Sequence, residues 1–101
     1  MTNDELEEMR RTCLRAVDHF GIEHQKRKAV EELGEILVEL SREQDGRTDK
    51  DKIREELADV MIMAEQLRII YGAQETDGWI RRKIERLRGM MRLPGRRIEI
   101  E

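Results

Sequence analysis

Two acidic pairs at helical spacing dominate the chemistry of this chain. They are Glu32-x-x-Glu35, preceded by Glu31, and Glu56-x-x-Asp59, preceded by Glu55. A spacing of three sets both members of a pair on one face of a helix, with Cβ atoms about 5–6 Å apart. Two such pairs brought together make a cluster of four carboxylates. Two ionised carboxylates about 5 Å apart repel by roughly 3 kcal/mol at an effective dielectric of about 20. A divalent cation reverses that sign, so the pattern reads as a metal site. All-oxygen donors are hard and favour Mg²⁺ or Mn²⁺ over zinc or copper. A di-iron bundle needs Glu-x-x-His motifs, and neither His19 nor His24 has a glutamate three residues before it. An EF-hand laid over Asp45 to Glu56 fails as well. Arg47 and Lys50 sit where a ligand and the required glycine belong.

Four helices are expected to position these acids, an all-α fold. Thr2 and Glu5 form a capping box for a helix that runs to about Phe20, where Gly21 stops it. Its apolar positions are Leu6, Met9, Cys13, Leu14, Val17 and Phe20. A second helix spans about Ile22 to Glu43, with Ala29, Val30, Leu33, Ile36, Leu37 and Leu40 as its stripe. After the polar break at 44–47, Thr48 and Asp51 cap a third helix from about Asp49 to Tyr71. Gly72 to Glu75 reads as a turn and Thr76 as the cap of a fourth helix. That helix reaches about Met91, with Ile80, Ile84, Leu87 and Met91 as its seam. Leu93-Pro94-Gly95 ends it. The tail over 96–101 alternates Ile98 and Ile100 with charges and lies extended on a neighbour or loose. No repeat or low-complexity segment stands out.

The totals bound the setting. A chain of 101 residues suits one small domain, and 43% charged against 38% hydrophobic residues leaves a thin core. The net charge of −3 argues against general nucleic-acid binding. Cys13 is the single cysteine, so no intrachain disulfide forms and a reducing, cytoplasmic setting fits. It reads as a small buried residue. The acidic start at Asp4, Glu5, Glu7 and Glu8 is not a signal peptide, and no apolar run is long enough to span a bilayer.

Helical projection separates the two pairs. On the second helix Lys28, Glu32, Glu35 and Glu39 form a band beside the apolar stripe, and for that helix alone a solvated flank is the simpler reading. On the third, Glu56 falls inside the stripe of Ile53, Leu57, Val60, Met63, Ala64 and Leu67, with Asp59 at its edge. A carboxylate inside an apolar arc must be neutralised, paired or metal-bound. The same helix is apolar on its far side through Ala58, Ile62 and Ile69. A helix apolar nearly all round is buried on several faces, which predicts at least a dimer built around it.

The stretch from Gln25 through Lys28, Glu31, Glu32 and Glu35, followed by Glu56-x-x-Asp59 on the next long helix, resembles the MazG-like, all-α nucleoside triphosphate pyrophosphohydrolases. Glu-Glu-Leu-Gly-Glu and Glu-Glu-Leu-Ala-Asp-Val fit that pattern closely. Lys83, Arg86 and Arg92 are similar to the family's basic last helix. The resemblance covers residues 22–92. It implies cleavage of a nucleoside triphosphate to the monophosphate and pyrophosphate. It further implies Mg²⁺ (or Mn²⁺) held by Glu32, Glu35, Glu56 and Asp59, and a helical bundle completed in a homodimer or homotetramer. Gln25, Lys28, Lys83 and Arg86 become candidates for substrate contacts, and Glu35 for the group that takes a proton from water.

Other readings of the same residues stand beside these. Lys83 borders its seam and either snorkels there or meets phosphate, and Arg86 has a surface role or the same phosphate role. Trp79 stacks on a base or packs at an interface. Tyr71 and Phe20 are the other aromatic candidates for a base. Met61, Met63, Met90 and Met91 read as core, and His19 and His24 as surface or cap residues. A phosphoribosyl-ATP pyrophosphohydrolase is a related alternative. A non-catalytic helical interaction module is an unrelated one.

Overall fold

The computed structural model describes residues 1–47, 49–92 and 95. Thr48, Leu93, Pro94 and the tail from Arg96 to Glu101 lie outside the described residues, and so do the expectations placed on them. Among the described residues the chain is all-α: α1 Asn3–Phe20, α2 Ile22–Gln44, α3 Lys50–Tyr71 and α4 Ala73–Met90. It divides into two compact units, 1–71 and 72–101. No helix is long and apolar enough to cross a membrane.

In the first unit, α1 and α3 begin where a side chain satisfies a free amide, and α2 follows directly on a glycine. Thr2 Oγ1 accepts from the Glu5 amide at 3.1 Å, and Glu5 Oε1 accepts from the Thr2 amide at 2.9 Å. This is the expected capping box. Gly21, at φ 91°, ends α1 and starts α2 with no residue to spare. Its amide donates to Val17 O and its own carbonyl accepts from Gln25. A side chain disfavours that positive φ. At the far end Asp49 Oδ1 accepts from the Lys52 amide at 2.8 Å and opens α3.

Helices α2 and α3 form an antiparallel hairpin. Gln25 pairs with Gln66 near one end, Glu32 and Glu35 meet Glu56 and Asp59 in the middle, and Glu39 and Lys52 line one groove at the other end. Helix α1 packs chiefly on α3. Cys13 Sγ donates to Ile62 O at 3.6 Å, and Arg10 reaches Glu65 at 4.0 Å. Cys13 is buried, as expected, and burial with the charge of Glu65 raises its pKa.

The buried set corrects the expected core. Its apolar members are Cys13, Val17, Ala29 and Met63, and its polar members are Gln25, Glu32, Glu39, Glu56 and Gln66. Of the α2 stripe only Ala29 is buried, while Val30, Leu33, Leu37 and Leu40 are exposed. The reason is rotational. Helix α2 turns its Gln25–Glu32–Glu39 line toward α3, where Gln25 bonds Gln66 and Glu32 meets Glu56 and Asp59. Of the expected solvated flank, Glu32 and Glu39 are therefore inside, while Lys28 and Glu35 stay exposed. By projection Leu33, Leu37 and Leu40 of α2 and Leu57 and Met61 of α3 lie on one common side of the hairpin. That side is apolar and open. Met63 is core as expected, but Met61, Met90 and Met91 are exposed.

In the second unit, α4 starts earlier than its sequence suggests. Gly72, at φ 106°, is the single residue between α3 and α4, so residues 73–75 are already helical and Thr76 is internal, its amide donating to Gly72 O. A Cβ at Gly72 would collide with the Glu75 carboxylate. The expected seam of Ile80, Ile84, Leu87 and Met91 is exposed, and Arg82 covers the Trp79 ring at 4.9 Å.

Candidate metal centre

The two acidic pairs meet within one chain. Glu32, Glu35, Glu56 and Asp59 each offer a carboxylate oxygen, and these four atoms lie within 4.8 Å of one another. Helical spacing supplies each pair and the antiparallel hairpin joins them. Glu32 and Glu56 are buried, Asp59 is half-buried and Glu35 is exposed.

The polar partners are incomplete. Glu32 Oε1 takes Lys28 Nζ at 3.5 Å and Glu56 Oε1 takes Lys52 Nζ at 3.1 Å. The second oxygens, Glu32 Oε2 and Glu56 Oε2, are buried and have no hydrogen-bond partner. A buried carboxylate oxygen left unpaired costs free energy comparable to a lost charged hydrogen bond. A cation held by this cluster would restore the balance. The donor set fits a hard divalent ion, being all oxygen with no sulfur or imidazole.

The electrostatics point the same way. The charge of Glu32, then the hydrogen bond to Glu56 and the charge of Glu56, hold the Glu35 carboxyl above its ordinary value. Lys28 is held above its ordinary value by its hydrogen bond and charge contact to Glu31, then by Glu32. Lys52 is raised first by its hydrogen bond to Glu56, then by the charges of Glu55 and Glu56. Both lysines therefore carry full charge at neutral pH.

The remaining site candidates fall in different places. Gln25 is buried in the hairpin, where Nε2 donates to Gln66 Oε1 at 2.7 Å and Oε1 sits 2.7 Å from His24 Nδ1. Its amide is thus spent on α3 and His24. Lys28 also borders an open recess of about 460 Å³ with Phe20, His24 and Arg27, where the Phe20 and His24 rings stack with centroids 5.5 Å apart. Lys83 and Arg86 are exposed on α4, in the second unit. The sequence reading leaves out Lys52 and Arg42 and takes Glu39 as part of a solvated flank. All three line an open groove of about 700 Å³ with Glu35 and Glu56, and Arg42 binds Glu39 at 3.1 Å.

A signal for Lys52 was present in the chain. Lys28-Ala-Val-Glu31-Glu32-Leu33-Gly34-Glu35-Ile36 and Lys52-Ile-Arg-Glu55-Glu56-Leu57-Ala58-Asp59-Val60 are one motif written twice. The expectation of no repeat is corrected here. The motif escapes notice because its neighbours diverge, and the antiparallel pairing is what turns the two copies into an approximate two-fold relation. Comparison with protein-family models, with curated proteins and with solved structures gives no match for this chain.

Proposed function

We propose that this chain is a Mg²⁺-dependent nucleoside triphosphate pyrophosphohydrolase of the MazG-like all-α type, working as a homo-oligomer. One observation carries the reading. Glu32, Glu35, Glu56 and Asp59 converge from two helices with two buried oxygens unpartnered. A triphosphate is itself strongly negative, and four carboxylates alone would repel it. A bound Mg²⁺ would bridge the two charges, polarise the phosphoryl group and acidify water.

The chain's own residues divide the rest of the work. Glu32 and Glu56, buried and fixed between helices, hold the ion. Asp59 completes the set. Glu35 is the exposed member of the four and so meets solvent water, which suits it to accept a proton. Lys28 lies between the acids and the Phe20–His24 recess, where a base can stack while the phosphates reach the centre. Lys83 and Arg86 remain candidates for the triphosphate. The open apolar side of the hairpin supports association with a second copy, since contiguous exposed apolar surface marks an interface.

A pyrophosphate-release screen tests the proposal. It spans canonical and modified ribo- and deoxyribonucleoside triphosphates, with phosphoribosyl-ATP beside them, in Mg²⁺. Release from a nucleoside triphosphate is expected. Turnover of phosphoribosyl-ATP alone would move the chain to that related activity, and no turnover of any substrate would leave a non-catalytic module.

A further inference from the structure

We propose that Lys28 and Lys52 are the resident counter-ions of the acid cluster. They neutralise it in the absence of a cation, compete with a divalent ion for Glu32 and Glu56, and on displacement hold a phosphate anion beside it. This rests on the metal-centre reading above and adds the coupling between cation and anion.

Three observations carry it. The first is the repeat, which gives each acid pair its own lysine four residues before the buried glutamate. The second is that the contacts match on both helices. Lys28 Nζ lies 3.4 Å from Glu31 and 3.5 Å from Glu32, and Lys52 Nζ lies 3.9 Å from Glu55 and 3.1 Å from Glu56. The third is that each lysine satisfies one oxygen of its buried partner and leaves the other, so the neutralisation is partial.

The arriving cation replaces the positive charge at each buried glutamate, so the exchange leaves no carboxylate uncompensated. The lysine side chains are 48% and 44% exposed while their glutamates are 11% and 7% exposed, so each ammonium already meets water. Lysine placed before glutamate at this spacing is also the weaker order on a helix. Each ammonium can swing off its glutamate while its stem stays on the helix. It is then a compact, mobile point charge next to the ion, which suits phosphate oxygens. Lys52 would move into the groove it shares with Arg42 and Glu35. Cation binding therefore creates the anion site, and the two ligands bind cooperatively.

Calorimetric titration of Mn²⁺ tests this with wild type, Lys28→Met, Lys52→Met and Lys52→Arg. Lys26→Met serves as control, since Lys26 contacts Glu23 and Tyr71 and not the cluster. Methionine is a good helix former, so the helix is retained, and far-UV circular dichroism checks it. Each Lys→Met change at the cluster is expected to tighten Mn²⁺ binding roughly fivefold, as one nearby positive charge is lost. Lys52→Arg and Lys26→Met should match wild type. Inorganic pyrophosphate titrated into Mg²⁺-saturated protein should bind about tenfold more weakly to the same two methionine variants. Opposite signs for the two ligands are a result that a merely structural lysine would not give. Equal Mn²⁺ affinity in wild type and both methionine variants overturns the exchange while leaving the metal centre standing. Absence of Mn²⁺ binding in wild type overturns the metal centre and this inference with it.

Discussion

Glu56→Gln should make the cation-free protein more stable and the cation-treated protein relatively less so. Glu32 and Glu56 offer oxygens within 4.8 Å inside the hairpin. At an effective dielectric of about 20 that pair repels by about 3 kcal/mol. The amide has the same shape, removes the repulsion, and can donate to the unpartnered Glu32 Oε2. Against this stands the lost contact with Lys52, a pair exposed on the lysine side only and so at the upper end of the surface range, about 1 kcal/mol. Further offsets come from helix adjustment, so a net gain of about 1–2 kcal/mol is expected. For a chain of this size that raises Tm by roughly 5–10 °C. In wild type, a divalent ion at about a hundred times its Kd adds about 2.7 kcal/mol; the variant forfeits most of that. Thermal unfolding followed by circular dichroism, once in EDTA and once in excess Mn²⁺, should therefore show the two proteins exchanging rank. If Glu56→Gln melts below wild type in EDTA, the buried oxygens are not in electrostatic conflict and the argument for an ion fails.

Acidity acts on the same centre. A carboxyl held above its ordinary value of 4.5, as Glu35 is, favours the proton-bound folded state. That relief is complete below 4.5 and vanishes as pH rises through the raised value. Cation-free protein should thus gain stability on acidification from neutrality, and Mn²⁺ affinity should fall across the same interval. Glu35→Gln should flatten both profiles. Glu56→Ala and Asp59→Ala should each abolish pyrophosphate release while the far-UV spectrum stays helical; turnover retained in both would mean the ion sits elsewhere. If the wild type is the proposed oligomer in light scattering, Leu37→Glu, on the open apolar side of α2, should reduce it to a monomer, and an unchanged mass would place the interface elsewhere.

The helices were legible because their ends carry local chemistry. Thr2 with Glu5, Gly21 and Gly72 are punctuation that acts within a few residues, and the boundaries follow from them. The convergence of the acids was legible because three-residue spacing and a short polar connection leave an antiparallel hairpin few ways to pair. What the sequence did not disclose was rotation. Leu33, Leu37 and Leu40 look like a core by type, yet α2 turns its Gln25–Glu32–Glu39 line toward α3 and leaves them outward. Lys52 was missed for a related reason. A lysine four residues before a glutamate is an ordinary surface pair until Glu56 is known to be buried. At Thr76 a plausible cap was preempted, since Gly72 had already completed the turn.

The twin motifs are alike in their acids and unlike in what covers them. Val38 and Glu39 on α2 correspond to Ile62 and Met63 on α3. Cys13 of α1 lies against Ile62 and seals that quarter, where Met63 and Gln66 are neutral. The matching quarter on α2 borders an open groove, and its residues, Glu39 and Arg42, are charged. A nearly symmetric set of donors thereby has two unlike flanks, one closed and neutral under α1 and one charged and open at Arg42.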